Sequence, residues 1–269
     1  MLLNFGKSVV TPSGPALLSS VIPSACADLD AAIGYTSGET WANMLPAPAD
    51  GQAQTAYDFW LGTDGTADAA NPTYASGKFT LDGGDWFTLK GGNTPILKSA
   101  HKTTGGNPIT IILCGKFIGP KANPGAGNGI FGNGGHDPVK HGIAGTNGNF
   151  FETDANYFLT TGGSYVSGSG LSQAFDNGNH CIAMCYDPST RTYTHYNNNS
   201  GQLAATLSVY TSTTDAVDAF QVGACGVGDY PSLAGTEIRA IGICNTVITL
   251  SEFNAAKALY NSRHGAIYA

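Results

Sequence analysis

The chain has 269 residues, of which 37 are glycine, 12 lysine or arginine and 19 aspartate or glutamate, for a formal net charge of −7. Glycine is about twice as common as the usual roughly 7%, and charged residues make up only 12%, which excludes a coiled coil with its charged heptads. The glycines are irregularly spaced, which excludes collagen; 42% hydrophobic residues argue against disorder, and the acidic balance without a Lys/Arg cluster argues against nucleic acid as a partner.

In chain order, residues 1–23 place short apolar patches (Leu2 and Leu3, Phe5, Val9 and Val10, Leu17 and Leu18, Val21 and Ile22) between Pro12, Pro15 and Pro23. We read this segment as an extended N-terminal arm, a possible attachment segment whose contacts would come from Leu2, Leu3, Phe5, Val9 and Val10; packing back on its own domain is the alternative. Thr11, Pro12, Ser13, Gly14 and Pro15 interrupt any apolar leader core, so Pro23-Ser-Ala-Cys-Ala27 is not read as a cleavage site. The expectation is synthesis in a bacterial cytoplasm without signal-peptide cleavage. No run approaches the roughly 18 apolar residues that span a bilayer, so no membrane insertion is expected.

Residues 24–269 read as one domain of short apolar runs separated by Gly, Asn, Asp and Ser clusters, the pattern of an all-β sandwich. Predicted strands are Lys78–Leu81, Trp86–Leu89, Ile109–Phe117, Gly129–Phe131, His141–Ala144, Asn149–Thr153 and Asn156–Leu159. Others follow at Asn179–Tyr186, Thr190–Asn197, Leu203–Val209, Ala219–Ala224 and Glu237–Asn245. That is about a dozen strands, too many for a minimal immunoglobulin domain and suited to a larger two-sheet antiparallel jelly-roll sandwich. Asp82-Gly-Gly-Asp85 is a turn signal between two of them. A short C-terminal helix is predicted from the capping box Thr249-Leu-Ser-Glu252, with Phe253, Ala256, Leu259 and Tyr260 at helical spacing before Gly265.

The six cysteines form no CxxC pair, and most sit in apolar runs, so we read them as buried free thiols. Arg191, Tyr193 and His195 alternate along a predicted strand and share one face, which suits either a ligand surface or an ordinary half-exposed strand. His136 and Asp137, with His141 nearby, lie in the most glycine-dense stretch; they suit a metal site or an ordinary loop, and no ligand-spacing rule is met. Tyr165, Tyr196 and Tyr230 stand beside Gly, Ser and Asn clusters, a composition shared by sugar-binding loops and by loop-rich β-proteins generally. No nucleophile elbow, phosphate-binding lysine loop or dinucleotide fingerprint is present, and no cofactor is expected.

Several blocks resemble a known family. Leu29-Asp-Ala-Ala-Ile-Gly-Tyr-Thr-Ser-Gly-Glu-Thr-Trp41, Gly77-Lys-Phe-Thr-Leu-Asp-Gly-Gly-Asp-Trp-Phe87, Ile109–Phe117, Gly129-Ile-Phe-Gly-Asn133 and Gly235–Asn245 followed by Ile248-Thr-Leu-Ser-Glu-Phe253 are similar to blocks of laminin-G-like, concanavalin A-like jelly-roll domains found in bacteriophage and environmental bacterial proteins. Leu81 and Trp86 depart mildly from that pattern. The resemblance spans about residues 28–264 and implies the sandwich fold; calcium in loop carboxylates is a property of some members, but no spacing here supports it.

Glycosidases of this fold family use a strand bearing Glu-x-Asp-x-x-Glu, and the one candidate, Glu152-Thr-Asp-Ala-Asn-Tyr157, has tyrosine where the acid belongs. Only four glutamates exist, which argues against a catalytic pair. The expected function is therefore a non-enzymatic structural component displayed on the virion surface of a bacteriophage or phage-like particle, as head fibre, decoration or tail-fibre module. Its expected partners are other virion proteins through the arm and host-surface glycan through His136, Asp137, Tyr165, Tyr193, His195 and Tyr230. The alternatives are a glycan-active enzyme on the same sandwich and a secreted bacterial lectin.

Overall fold

The run Ile109-Thr-Ile-Ile-Leu-Cys-Gly-Lys116 is apolar at almost every position, which is what a strand covered on both faces requires. Its odd residues Ile109, Ile111 and Leu113 enter one hydrophobic core, and its even residues Ile112 and Cys114 enter another. The same division recurs in the run around residue 182, where Ile182, Met184 and Tyr186 face one way and Cys181, Ala183 and Cys185 the other.

The computed structural model describes residues 14–100, 102, 105–118, 128–133, 149–154, 157–161, 164–166, 177–197, 201–206, 215–216, 218–224 and 232–268. Among them sixteen strands alternate with few helices. The first six are β1 (Ala25–Asp30), β2 (Thr40–Trp41), β3 (Phe59–Leu61), β4 (Thr73–Ala75), β5 (Lys78–Thr80) and β6 (Phe87–Leu89). A short helix, α1 (Pro95–Ser99), precedes β7 (Ile109–Lys116), β8 (Asn128–Gly132), β9 (Asn149–Asp154), β10 (Tyr157–Thr161) and β11 (Ser164–Val166). Then come β12 (Asn179–Asp187), β13 (Thr192–Asn197), β14 (Gly201–Thr206), β15 (Gln221–Val222), β16 (Glu237–Cys244) and helix α2 (Leu250–His264).

All described pairings are antiparallel and form two sheets. The first has the order β14-β13-β12-β7-β16-β5-β4, with β1 also paired to β16; the second has the order β11-β10-β9-β8-β15-β6-β3-β2. The expected two-sheet antiparallel sandwich with a C-terminal helix is thus the observed architecture. Between the sheets lies the larger core, closed at the β2/β4 edge by a chain of aromatic rings. Tyr35 to Phe79, Trp41 to Phe79 and Phe79 to Phe87 stand 4.8, 4.8 and 5.0 Å apart between centroids, spacings typical of stabilising aromatic pairs.

A second core covers the outer face of the first sheet and makes the molecule three layers deep. Phe253, Ala256, Leu259 and Tyr260 of α2 pack there against Leu18, Ile22, Ile112 and Ala183. The capping box forms as the sequence signalled, with Thr249 accepting from the Glu252 amide, and Gly265 ends the helix in the left-handed conformation. Gly242 permits this close approach, since a Cβ there would stand 2.8 Å from Leu18 Cδ2 and 3.0 Å from Tyr260 Oη.

The described part of the segment read as an arm, 14–23, is not extended. A 3-10 turn at Leu18–Ser20 folds it onto the domain, and Leu18 and Ile22 are fully buried. Asp28 explains why: its carboxylate accepts from the Leu18 amide at 2.7 Å and from Nη1 and Nη2 of Arg263 at 2.9 and 2.8 Å. Arg263 also donates to the Ala16 carbonyl and, at 3.3 Å, to Asp30, which His264 contacts at 3.1 Å. Leu2, Leu3, Phe5, Val9 and Val10 lie outside the described residues, as does the predicted strand His141–Ala144.

Candidate functional site

At the edge where β4 of one sheet meets β2 and β3 of the other, the surface opens into a cleft of about 590 Å³. Its back wall is aromatic. Tyr35, from the loop after β1, meets Tyr74 of β4 edge to face, with centroids 4.7 Å apart. Both phenols are tethered: Tyr35 donates to the Gly38 carbonyl at 2.5 Å and Tyr74 to the Ala31 carbonyl at 3.0 Å. Burial, then the charge of Glu39 and the neighbouring Tyr74, pushes the Tyr35 phenol above its ordinary range, so its proton stays on.

The opposite wall is polar. Asn71 donates through Nδ2 to the Glu39 carboxylate at 2.5 Å and to the Thr66 carbonyl at 3.1 Å. The loop between β3 and β4 is shaped by two aspartate turns: Asp64 accepts from the Thr66 amide and hydroxyl, and Asp68 from the Ala70 amide. Gly62 at the loop's start has φ +72°, and a Cβ there would stand 2.2 Å from Asn71 Oδ1, so glycine lets Asn71 reach Glu39. Thr36, Ser37, Leu61, Ala67, Asp68 and Pro72 also line the cleft, and among the described residues no lysine, arginine or histidine does. Two tyrosine rings beside carboxylate, amide and hydroxyl groups suit a ligand that is apolar on its faces and rich in hydroxyls on its rim.

The sequence-selected residues are placed elsewhere. His136, Asp137 and Tyr230 lie outside the described residues, and of Tyr165 in β11 and Tyr193 in β13 only the backbone is described. Both strands belong to the side of the sandwich opposite the cleft. His195 lies opposite Met184 on the inter-sheet side of β13 and is 1% exposed, which leaves its ring no surface for a sugar. Arg191 falls in the turn before β13, with φ +56°, so the three-residue strand face does not form. The motif Glu152 to Tyr157 is a hairpin, not one strand, with Glu152 in β9 and Tyr157 in β10. Among the described residues no group of three or more His, Cys, Asp or Glu is arranged to hold a metal. The five described cysteines are buried, as the sequence indicated, and none is joined to another in a disulfide.

Three of the four glutamates have structural partners. Glu39 holds Asn71, Glu237 pairs with Lys78 and with Arg239 at 2.9 Å, and Glu252 closes the cap of α2. Tyr35, Tyr74 and Asn71 escaped sequence reading, although the spacing Asp64, Asp68, Asn71 in a glycine-containing loop was a signal of a shaped turn.

No family model and no curated protein matches the chain. Its fold is similar to solved structures. Trypanosoma rangeli sialidase in complex with sialic acid shares 13% identity over 95% of this chain and 36% of that one, with a TM-score of 0.58. The botulinum neurotoxin serotype D binding domain shares 12% over 90% and 52%, at 0.54. Domain 4 of AbnA, a GH43 extracellular arabinanase from Geobacillus stearothermophilus, solved with arabinotriose, shares 13% over 86% and 97%, at 0.51. The chain thus spans about a third of the sialidase and most of the arabinanase domain. At these identities the likeness establishes the β-sandwich fold.

Proposed function

We propose that this chain is a non-enzymatic carbohydrate-binding sandwich, displayed on the surface of a bacteriophage or phage-like particle and held there through residues 1–13. The cleft of Tyr35, Tyr74, Glu39, Asp68 and Asn71 carries this reading, because it joins fixed aromatic surface to convergent hydrogen-bonding groups. Two carboxylates without a cationic partner favour neutral or amino sugars and disfavour sialic or uronic acids. Domain 4 of the arabinanase, a sandwich of similar extent, was solved with arabinotriose, a neutral oligosaccharide, which supports the choice. The non-enzymatic part rests on the glutamates, since the three whose side chains are described are engaged in structural contacts. The display on a particle rests on the sequence blocks similar to phage-type jelly rolls. The packed segment 14–23 runs over the α2 face, which leaves the cleft edge clear.

The test is binding to an array of neutral, amino and acidic oligosaccharides, followed by titration of the best ligand. Tyr74→Ala and Glu39→Gln should each weaken binding about tenfold, the loss of one good contact of about 1.4 kcal/mol. Unchanged affinity in both variants, or a preference for acidic sugars, would refute the cleft as the site. Cleavage of the bound oligosaccharide would refute the non-enzymatic reading.

A further inference from the structure

Among the buried groups that the carbohydrate reading leaves unused, one pair stands out. Cys114 of β7 and Cys181 of β12 lie directly opposite each other in register, and their sulfurs stand 2.7 Å apart. That is inside the roughly 3.5–4.0 Å at which non-bonded heavy atoms rest. Directly opposed residues of antiparallel strands have Cα atoms about 4.5–5.5 Å apart, within the about 4.4–6.8 Å that a disulfide spans. Both side chains point into the second core, beneath α2, and both are 0% exposed. The other described cysteines lack such a partner position: Cys185 and Cys244 both lie opposite Thr110, on either side of β7, and Cys26 faces the inter-sheet core.

We propose that Cys114 and Cys181 form a cross-strand disulfide when the chain folds in an oxidising medium. The bond arises by two thiol–disulfide exchanges with a small disulfide such as oxidised glutathione. The thiolate of one cysteine attacks the oxidant, releasing one glutathione thiolate and leaving a mixed disulfide. The second cysteine, having lost its proton, attacks the protein sulfur of that mixed disulfide and releases the other glutathione. Two protein thiols are oxidised, and one disulfide is reduced to two thiols. The exchange belongs to folding, before α2 docks. Once the helix covers the pair, the sulfurs are out of reach, and burial pushes the Cys114 thiol well above its ordinary range. In a glutathione-reduced cytosol the pair stays a dithiol. The bond would close a loop between positions 67 residues apart and join two central strands of the first sheet.

The test is refolding of the full-length protein from denaturant into a glutathione redox buffer or, in parallel, into dithiothreitol. The redox sample should lose about 2 Da, the mass of two hydrogens, and should show four alkylatable thiols of the six after denaturation. Peptide mapping in a Cys185→Ala background should link the peptide of Cys114 to that of Cys181. The linked protein should melt several degrees above its dithiothreitol counterpart, and Cys114→Ala and Cys181→Ala should each abolish the difference. Six alkylatable thiols in the refolded wild type, or a link between other cysteines, would overturn the proposal without reliance on any variant.

Discussion

A buried histidine and a buried aspartate push the protein's response to acid in opposite directions. Burial depresses His195 from 6.5 to about 3, so between those values the unfolded chain binds a proton that the folded protein refuses, and stability falls as the pH falls. Asp85 behaves in the reverse sense. Burial pushes its carboxyl from 3.8 up to about 6, against the hydrogen bond from the Asp82 amide and with the help of the Asp82 charge. Between those values the folded protein holds the extra proton, so this contribution is present at low pH and lost as the pH rises through 6. His195 begins to take its proton in the unfolded chain at 6.5, above the value of about 6 at which folded Asp85 takes its own. The urea midpoint should therefore decline between pH 7 and about 6, with a slope of at most about 1.4 kcal/mol per pH unit, and change little from there to about 4.5, where the two slopes oppose and nearly cancel. His195→Leu should reverse the trend, so that the midpoint rises on acidification, and Asp85→Asn should extend the decline down to about pH 4.5. Parallel profiles for the three proteins would refute both assignments.

At the level of elements, α2 is held by two contacts of different worth. Thr249→Ala removes an exposed cap and should cost about 1 kcal/mol. Arg263→Ala should cost about 3–5 kcal/mol, because Asp28 and Asp30, both fully buried, would lose their cation. Equal losses in chemical denaturation would show that the Arg263 cluster is no more than a surface ion pair. The same elements show what a sequence can disclose. Helix α2 was legible because its cap, its apolar spacing and Gly265 are local signals. Strand β1 was not, because Ala-Cys-Ala-Asp-Leu-Asp reads as half polar until Arg263, 235 residues away from Asp28, supplies the charge that lets its aspartates be buried. Strands β2 and β4, of two and three residues, are too short to show any period. His195 was read as surface because alternation separates two faces without saying whether each is covered, and here both are. The cleft was illegible for a related reason: Tyr35 and Tyr74 meet only once the sheet edges close.

For the whole molecule, the N-terminal boundary is the decisive place to cut. Deletion of residues 2–13 leaves every described contact in place and should leave the melting temperature nearly unchanged; under the proposed display on a particle, it should also abolish incorporation there. Deletion of 2–20 also removes Leu18 and the amide that Asp28 accepts, and should destabilise the domain by about 2–5 kcal/mol. A long truncation as stable as the short one would return 14–20 to the status of a detachable arm. The pairing of β1 with β16 also determines how the domain bears a load. Ala25 lies opposite Cys244 and Asp30 opposite Ala240, so the chain enters β1 and leaves β16 at the same end of the pair. Tension applied at the two ends of the chain falls first on Arg263, where it grips Ala16 and Asp28. Once that grip yields, the ladder opens one rung at a time, like a zip, and never in shear. A tether anchored at one end only would spare the sandwich this weakness.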